Sequence, residues 1–398
     1  MGVIILPFNY KKGLHIHLPE NKLVVIDSKI VTIPPNAQTI VSHAHSDHYA
    51  AFNSHTKTYA TKPTIELFTT LNKTITEDTY QEMPFHQPKI LHQKDTEISL
   101  NLIPSGHILG SASVIINNDG QKILFSSDIG GDGLISISNK LETPQADILI
   151  IEATFGSKDI IFPQREVISM DILKWAASVA KQKMNSVFFA GQIGSAQELV
   201  KIFNSMSNLR VITHGKITAI CDIYQKNGIS LDYIDSRSVE GREILKDGEA
   251  VIIMSRGKKI VPYFMKEHRN CKQAIATGMA AKFQFRNYDA AFPLSSHANY
   301  RDLLKYVNTV NPKEVYTIFG YDKKFAKTIS KEFGIPAEPL KSKILKDFTN
   351  TRTKYQTLKT TYEANTLSSK EKIKKNTLPT KLKNKKNLTL DDYFNLNN

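Results

Sequence analysis

Up to about residue 152, short runs of apolar residues alternate with polar turns, a pattern typical of β-strands. Leu23 to Asp27, Ile98 to Ile103 and Val114 to Asn117 are examples, and the start of the chain, Met1 to Phe8, is predicted to form a first strand. One helix is predicted at Pro63 to Leu71. This part of the chain is therefore expected to consist mainly of β-structure.

From about residue 165 to 285, helix-like stretches alternate with short apolar strands. Such alternation predicts a parallel α/β sheet. The predicted helices are Glu166–Lys183, Ser195–Met206 and Thr218–Asn227, and the predicted strands are Val187–Ala190, Val211–Thr213 and Val251–Met254. A helix at Tyr300–Val307, a strand at Val315 and a last helix at Lys323–Phe333 are predicted to follow.

Composition narrows the class of protein. At 398 residues with 41% apolar residues, the chain is long enough for two or three domains with buried cores. Only Cys221 and Cys271 occur, so a disulfide framework is excluded and a reducing cytoplasm is expected. Apolar runs stay well short of the about 18 residues that a membrane span needs, so no membrane association is expected.

The densest cluster of chemically active side chains reads His43-Ala-His45-Ser-Asp47-His48 and follows an apolar run. On an extended segment, His43 and His45 point the same way, so both can bind one Zn²⁺. Asp47 and His48 come where the chain turns away and are expected to face a second metal ion. A solvated His-rich loop is the alternative, but unpaired imidazoles this close would repel one another at low pH.

Two later positions can complete such a site. His107 lies between Gly106 and Gly110, which allow a sharp turn and a close backbone approach. Asp128 ends an apolar strand that begins at Lys122, and its carboxylate can bridge two metal ions. Taken alone, the histidine could be a packing residue and the aspartate a turn former.

The spacing of these six donors resembles that of the metallo-β-lactamase fold. The resemblance implies an α/β fold, an αββα sandwich, in which three histidines hold the first metal, an aspartate and a histidine hold the second, and one aspartate bridges both. The residues in that order are His43, His45 and His107, then Asp47 and His48, then Asp128. The fold carries many hydrolytic activities, so it does not define the substrate.

Two further motifs resemble the β-CASP branch of that fold, whose members cut nucleic acids. Glu152-Ala-Thr-Phe-Gly follows an apolar strand, and Phe-Pro-Leu-Ser-Ser-His297-Ala stands at a strand-to-helix junction. These two strings are most similar to those of the bacterial and archaeal ligase-associated DNA exonucleases. The resemblance implies Asp47, Glu152 and His297 as catalytic residues, with His297 as general acid and Glu152 orienting it.

The resemblance also implies how the chain is divided. Residues 1–165 and 288–340 are expected to form the metallo-β-lactamase domain, and residues 166–287 an inserted parallel α/β β-CASP cap. In that cap, the glycine-rich stretch Gly191 to Glu198 precedes a helix and could hold a substrate phosphate, although a simple tight turn fits equally well. Residues 341–398 are expected to be a disordered, Lys-rich tail.

At the place of a third motif, where ribonucleases of this branch have a histidine before a glycine, the chain has Phe319 before Gly320. The second metal therefore lacks one donor. One Zn²⁺ is expected to bind tightly and a second weakly, with Mn²⁺ as a possible substitute. The ligase-associated relatives also usually have a histidine at this position, whereas Artemis-like DNA nucleases carry an apolar residue. The likeness to the Artemis-like enzymes favours DNA over RNA as the substrate.

The net charge of +14 is concentrated in the tail, where residues 341–386 carry fourteen Lys or Arg and three acidic residues. A flexible basic segment binds phosphates without reading sequence, although a purely solubilising tail is the alternative. Beyond it, four residues resemble the box that binds the sliding clamp (PCNA), with apolar side chains at i, i+3 and i+4 of one helical turn. They are Asn387, Leu390, Tyr393 and Phe394.

The sequence therefore predicts a zinc-dependent 5′ end-dependent DNA exonuclease of DNA repair or replication. It is expected to be tethered to the clamp and to lie in the cytoplasm, with nucleoid association if the source is archaeal or bacterial. Three alternatives stay open: a β-CASP ribonuclease of RNA end processing, a non-enzymatic scaffold on the clamp, and a small-molecule hydrolase.

Overall fold

The computed structural model describes residues 8–10, 12–72, 79–94, 97–256 and 271–340, and these form three β-sheets. The first sheet has the strand order β1-β2-β3-β4-β5-β6. Its strands are Phe8–Tyr10, Leu14–Leu18, Lys22–Ile26, Ala37–Ile40, Thr58–Ala60 and Tyr80–Glu82. Burial alternates along β2, which turns Leu14, Ile16 and Leu18 into the core, as a half-buried strand requires.

The second sheet has the order β19-β18-β11-β10-β9-β8-β7. Its strands in chain order, β7 to β11 and then β18 and β19, are Lys89–Gln93, Glu97–Pro104, Ala112–Asn118, Gln121–Phe125, Ile148–Glu152, Glu314–Ile318 and Ala337–Pro339. All five residues of β11 are buried, because both faces of this central strand are covered.

The third sheet has the order β14-β13-β15-β12-β16-β17, and its strand pairs are all parallel. Strands β12 to β17 are Asn185–Ala190, Val211–Thr213, Ile234–Asp235, Val251–Ser255, Cys271–Ala276 and Ala290–Phe292. The predicted parallel α/β sheet is confirmed. The sheet extends past residue 287, since β17 pairs with β16.

Seven α-helices, α1 to α7, lie in the described residues. They are Lys62–Leu71, Arg165–Ala180, Ser195–Met206, Lys216–Lys226, Val239–Asp247, Tyr300–Val310 and Asp322–Phe333. The helix predicted at 195–206 has those same bounds, and the other predicted helices differ by a few residues at their ends. Helix α5 and the short strand β14 were not predicted, because neither carries a long apolar repeat.

The cores show how the layers stack. One apolar cluster joins the facing sides of the first two sheets, with Ile16 on one side and Ile123 on the other. A second cluster joins the far side of the second sheet to α6 and α7, through residues such as Leu303 and Phe325. Helix α1 covers the first sheet through Phe68. This arrangement gives four layers, α, β, β and α.

The tail and its predicted clamp-binding box lie outside the described residues, as does most of the predicted first strand. Within the described ranges, no helix is both long and apolar enough to cross a bilayer.

Candidate metal centre

Three imidazole nitrogens meet at one point near the ends of β4 and β8. His43 Nε2 lies 3.1 Å from His45 Nδ1, and His107 Nε2 lies 3.2 Å from the same atom. His43 and His45 lie on the loop that follows β4, which ends at Ile40. The expectation that this segment is extended is wrong, because the backbone bends at residues 43–45. That loop, not strand alternation, brings them together.

Glycines shape the turn that carries His107. Gly106 and Gly110 have φ values of +68° and +76°, a region that favours glycine. A Cβ atom on Gly106 would lie 2.7 Å from the backbone nitrogen of Leu141. The sharp turn predicted from the two glycines is therefore present, and it points the buried imidazole at the other two.

Hydrogen bonds at the far side of two rings determine which nitrogen faces the centre. His43 Nδ1 lies 2.9 Å from Ser42 Oγ, and His45 Nε2 lies 3.4 Å from the carbonyl oxygen of Ile193. Each of these nitrogens carries the ring proton, since the oxygens accept it. His43 Nε2 and His45 Nδ1 are therefore left with lone pairs directed at the shared point.

This donor set fits a metal cation. Burial lowers the pKa of His43, His45 and His107, so the three rings are neutral and their facing lone pairs have no proton to share. Two nitrogens that each lie about 2.0–2.1 Å from one tetrahedral Zn²⁺ are about 3.3 Å apart. The observed separations of 3.1 and 3.2 Å match that geometry.

Asp128, three residues after the end of β10, lies between two groups of ligands. Its Oδ2 is 3.5 Å from His43 Nε2, 3.5 Å from His48 Nε2 and 3.9 Å from His107 Nε2. Burial raises the pKa of this carboxyl, but the surrounding imidazoles, His48 foremost, hold it well below its usual range. An ionised carboxylate in this position can bridge two cations.

The second group contains Asp47 and His48. Asp47 Oδ2 lies 3.4 Å from His48 Nε2, and the aspartate side chain is 46% exposed whereas the imidazole is 3% exposed. Burial opposes ionisation of Asp47, but the charge and hydrogen bond of His48 hold its pKa below the usual range. The ligands of the second group therefore face a more open part of the site.

Sequence reasoning missed a buried carboxylate behind these ligands. Asp27 Oδ2 accepts hydrogen bonds from His48 Nδ1 at 2.9 Å and from Ser42 Oγ at 2.7 Å, and Asp27 Oδ1 accepts one from the Ser42 backbone at 2.8 Å. Ser127 Oγ donates to Ser42 Oγ at 2.7 Å. Asp27 thus orients His48 directly and His43 through Ser42. Its signal in the sequence was a carboxylate directly after the apolar strand β3, which ends at Ile26.

Phe319 packs between the rings of His48 and Tyr10, at the position where the sequence lacks a metal donor. The Phe319 ring lies 6.0 Å from the His48 ring and 5.4 Å from the Tyr10 ring, measured between centroids. Its φ of +63° is unusual for a phenylalanine. The structure therefore places position 319 beside the second ligand group, with an apolar ring in place of a donor.

His297 and Glu152 form an acid–base pair at the edge of the centre. His297 Nδ1 lies 3.2 Å from Glu152 Oε1, and its Nε2 lies 3.9 Å from Asp128 Oδ2. Glu152 is fully buried and also accepts a hydrogen bond from the Ile129 backbone at 2.9 Å. Burial alone would lower the pKa of His297, but Glu152 and Asp128 raise it to about 9. The protonated ring can donate from Nε2.

A cavity of about 210 Å³ opens beside this pair. Its lining includes His45, His297, Ser195, Arg256 and the glycine of position 191. The glycine-rich stretch, for which a phosphate site and a simple tight turn were both open, thus lies beside the candidate metal centre. The site therefore combines a buried candidate metal centre, a proton donor and an adjoining cavity, and these are the features that a metal-dependent hydrolase needs.

Comparisons with known proteins agree with this class. Residues 290–338 match the Zn-dependent metallo-hydrolase RNA specificity domain. The chain is 26% identical over 370 residues to the RNase J-like protein of Methanocaldococcus jannaschii, which covers 77% of this chain and 87% of that protein. It is 28% identical over 236 residues to the transcription termination factor FttA of Methanococcus maripaludis, covering 52% of this chain and 35% of that one.

A third relative is a probable DNA ligase of Opitutus terrae. It is 29% identical over 313 residues, which cover 76% of this chain. The matched part makes up 28% of that protein's length, so the chain corresponds to a minor part of it. Together the relatives and the histidine–aspartate cluster support a metallo-β-lactamase β-CASP nuclease family for this chain.

A solved structure shows the same fold. The crystal structure of a protein of unknown function from Enterococcus faecalis V583 aligns with a TM-score of 0.52 and 13% identity. The alignment covers 79% of this chain and 93% of that one. At this level of identity the similarity concerns the fold alone.

Proposed function

We propose that the chain is a zinc-dependent nuclease that hydrolyses phosphodiester bonds of DNA. The observation that carries the proposal is the meeting of six metal donors with the His297–Glu152 pair at one buried centre that adjoins a cavity. Residues 166–287 are proposed to supply most of the cap beside this centre, because the third sheet and its helices fall largely within them.

Six residues would hold two zinc ions. His43, His45 and His107 would bind the first, Asp47 and His48 the second, and Asp128 both. Zinc held there would lower the pKa of a coordinated water to about 7 and would offset charge on the phosphate. Because Phe319 contributes no donor, the second position is proposed to bind zinc weakly and to accept Mn²⁺.

The roles of the protein's own residues follow from the contacts. His297 donates a proton from Nε2 to the leaving oxygen, since its Nδ1 is occupied by Glu152 at 3.2 Å. Glu152 fixes the tautomer and the angle of that ring. Asp47, the most exposed of the carboxylates here, orients the attacking water on the open side.

DNA is the preferred substrate for two reasons. Phe319 stands where ribonucleases of this branch have a histidine, and its ring packs beside His48. In addition, a relative that aligns over 76% of this chain is named a probable DNA ligase. We infer an exonuclease that starts at 5′ ends and acts in DNA repair or replication.

RNA end processing is the second candidate. It is favoured by the match of residues 290–338 to an RNA specificity domain and by relatives named RNase J-like protein and FttA. A digestion of matched single-stranded DNA and RNA, labelled at either end and with or without a 5′ phosphate, separates the two. Faster cleavage of RNA at equal metal loading would refute the DNA assignment.

We propose that Asn387, Leu390, Tyr393 and Phe394 bind the sliding clamp. The support is the sequence pattern alone, since these residues lie outside the described ranges. A Tyr393→Ala/Phe394→Ala variant should lose binding to immobilised clamp and keep wild-type cleavage of short oligonucleotides. Unchanged clamp binding by this variant would contradict the proposal.

A further inference from the structure

A positively charged cavity wall lies outside the metal centre. The cavity, of about 420 Å³, is lined by eight residues, of which four are lysines and one is acidic. The lysines are Lys158, Lys324, Lys327 and Lys331, and the acidic residue is Asp159. A wall with a net charge of +3 in so small an area attracts a polyanion.

Helix α7 presents three of these lysines in register. Lys324, Lys327 and Lys331 follow the i, i+3, i+7 spacing that places side chains on one helix face. Phe325 and Ile329 on the opposite face are fully buried in the core and fix the orientation of the helix. With a rise of 1.5 Å per residue, the row is about 10 Å long, or roughly three phosphates of a stacked strand.

The one acid does not neutralise the row. Lys324 Nζ lies 2.8 Å from Asp159 Oδ2, and the two side chains are 61% and 58% exposed. Exposed pairs of this kind contribute little to stability, so a phosphate can replace the carboxylate at small cost.

The row continues toward the metal centre through Tyr321. Lys282 Nζ donates to the Tyr321 hydroxyl at 2.7 Å and lies 5.0 Å from the ring centroid, while Lys324 Nζ lies 5.8 Å from it. Both ammonium groups are thus held beside one ring by cation–π contact.

A backbone hydrogen bond connects Tyr321 to the segment that carries Glu152. The Tyr321 backbone nitrogen donates to the carbonyl of Ala153 at 2.7 Å, and Ala153 follows Glu152, the partner of His297. The next residue, Thr154, lines the same cavity as His297. The loop of residues 153–159 therefore joins the two cavities, since Thr154 lines the one beside the centre and Lys158 the one with the lysines.

We propose that Lys158, Lys282, Lys324, Lys327 and Lys331, here called the lysine strip, bind the phosphates of single-stranded DNA beside the bond that is cut. This inference rests on the proposed function and adds a specific path for the strand. It assigns to α7 a role in holding long substrates, distinct from the chemistry at the metal centre.

The test compares two triple variants of the full chain. One carries Lys324→Gln, Lys327→Gln and Lys331→Gln. The control carries Lys174→Gln, Lys181→Gln and Lys246→Gln, which remove the same charge from exposed sites on α2, its C-terminal end and α5. Both variants keep the basic tail, so the tail's contribution to DNA affinity is the same in the two proteins.

Binding is measured by fluorescence anisotropy with a nuclease-resistant phosphorothioate oligothymidylate of about 30 nucleotides, on zinc-loaded protein over a range of salt. The strip variant should lower the slope of log K against log salt by about 2, at about 0.7 for each lost phosphate contact. Its affinity should therefore fall about 20-fold further below wild type at about 50 mM than at 200 mM salt. Equal binding by strip and control variants would overturn the proposal.

A second measurement separates this inference from the proposed function. Hydrolysis of bis(p-nitrophenyl) phosphate, which is too small to reach the strip, should be the same in all three proteins. Cleavage of an unmodified phosphodiester oligothymidylate of the same length should show a raised KM only in the strip variant. If wild-type protein binds DNA through the strip and yet cleaves neither DNA nor RNA, the nuclease proposal fails while the strip stands.

Discussion

Replacing Asp27 by asparagine should weaken metal binding without removing a metal ligand. In the native protein, Asp27 Oδ2 accepts from His48 Nδ1 at 2.9 Å and from Ser42 Oγ at 2.7 Å. An asparagine has one accepting oxygen where the carboxylate has two, and Asp27 Oδ1 also accepts from the Ser42 backbone at 2.8 Å. When the amide oxygen keeps that backbone bond, the amide N–H group faces both His48 and Ser42 Oγ. His48 must then carry its proton on Nε2, the atom that faces Asp128 at 3.5 Å, and its lone pair is lost to the metal.

The size of the effect follows from what the carboxylate does. Hydrogen-bond partners behind metal ligands are typically worth about 10- to 100-fold in metal affinity, which is about 1.4–2.7 kcal/mol. Asp27 also orients His43 through Ser42, whose Oγ lies 2.9 Å from His43 Nδ1. Both ligand groups are therefore affected, and we expect a loss near the upper end for the weaker second site.

The assay is a zinc titration against a chromogenic chelator, with far-UV circular dichroism to establish that the variant is folded. Asp147→Asn is the matched control. Asp147 also accepts a backbone hydrogen bond, from Lys122 at 2.9 Å, and pairs with Lys313. It lies near the first residues of β10, whereas the candidate metal donor Asp128 follows the last residue of that strand. Zinc affinity of Asp27→Asn within twofold of wild type would refute the argument that this carboxylate sets the imidazole tautomers.

Four further outcomes test the site. Asp47→Ala should abolish cleavage of DNA while DNA binding, measured by anisotropy, persists; wild-type turnover would contradict the assignment. Phe319→His should raise the zinc content measured by mass spectrometry toward two ions, because the ring at position 319 lies 6.0 Å from the His48 ring. Histidine also tolerates the φ of +63° at this position better than phenylalanine does. An unchanged zinc content would contradict a weak second site beside position 319. Glu152→Gln should lower kcat by about 10- to 100-fold with KM unchanged, since His297 loses its orienting carboxylate; an equal change in KM alone would point to substrate binding instead. Gly194→Ala should lower the free energy of unfolding, measured in urea, by about 1–3 kcal/mol. Its φ is +88°, and the new Cβ would lie 2.8 Å from the Cγ2 methyl group of Ile108. An unchanged free energy of unfolding would show that the loop can adjust.

The candidate metal donors could be found in the sequence because histidine and aspartate clusters are rare and the chain places them near strand ends. His107 between its glycines and Asp128 after an apolar strand each carried a local signal of this kind. The expected extended segment at His43 and His45 was nevertheless wrong, since the loop beyond β4 bends there. Side-chain type and approximate spacing pointed to residues that meet in the structure even where the expected backbone conformation was wrong.

What the sequence could not supply were contacts between distant segments. Asp27 lies 21 residues from His48, and no local pattern reveals their hydrogen bond. The same holds for Tyr10 against Phe319, and for Lys282 beside Tyr321. Such pairs depend on how sheets and helices stack, which apolar periodicity predicts as layers but not as atomic neighbours.

The metal centre also depends on the segment predicted as the cap. His45 Nε2 is directed by the carbonyl of Ile193, which lies on the loop between β12 and α3 of the third sheet. That loop is packed closely, since a Cβ on Gly194 would touch Ile108, the neighbour of His107. Two of the three histidines that would hold the first zinc ion thus have their surroundings completed by this loop. Zinc affinity and the placement of the third sheet are therefore coupled through a few contacts, so mutations in the loop should change metal binding even though they remove no ligand.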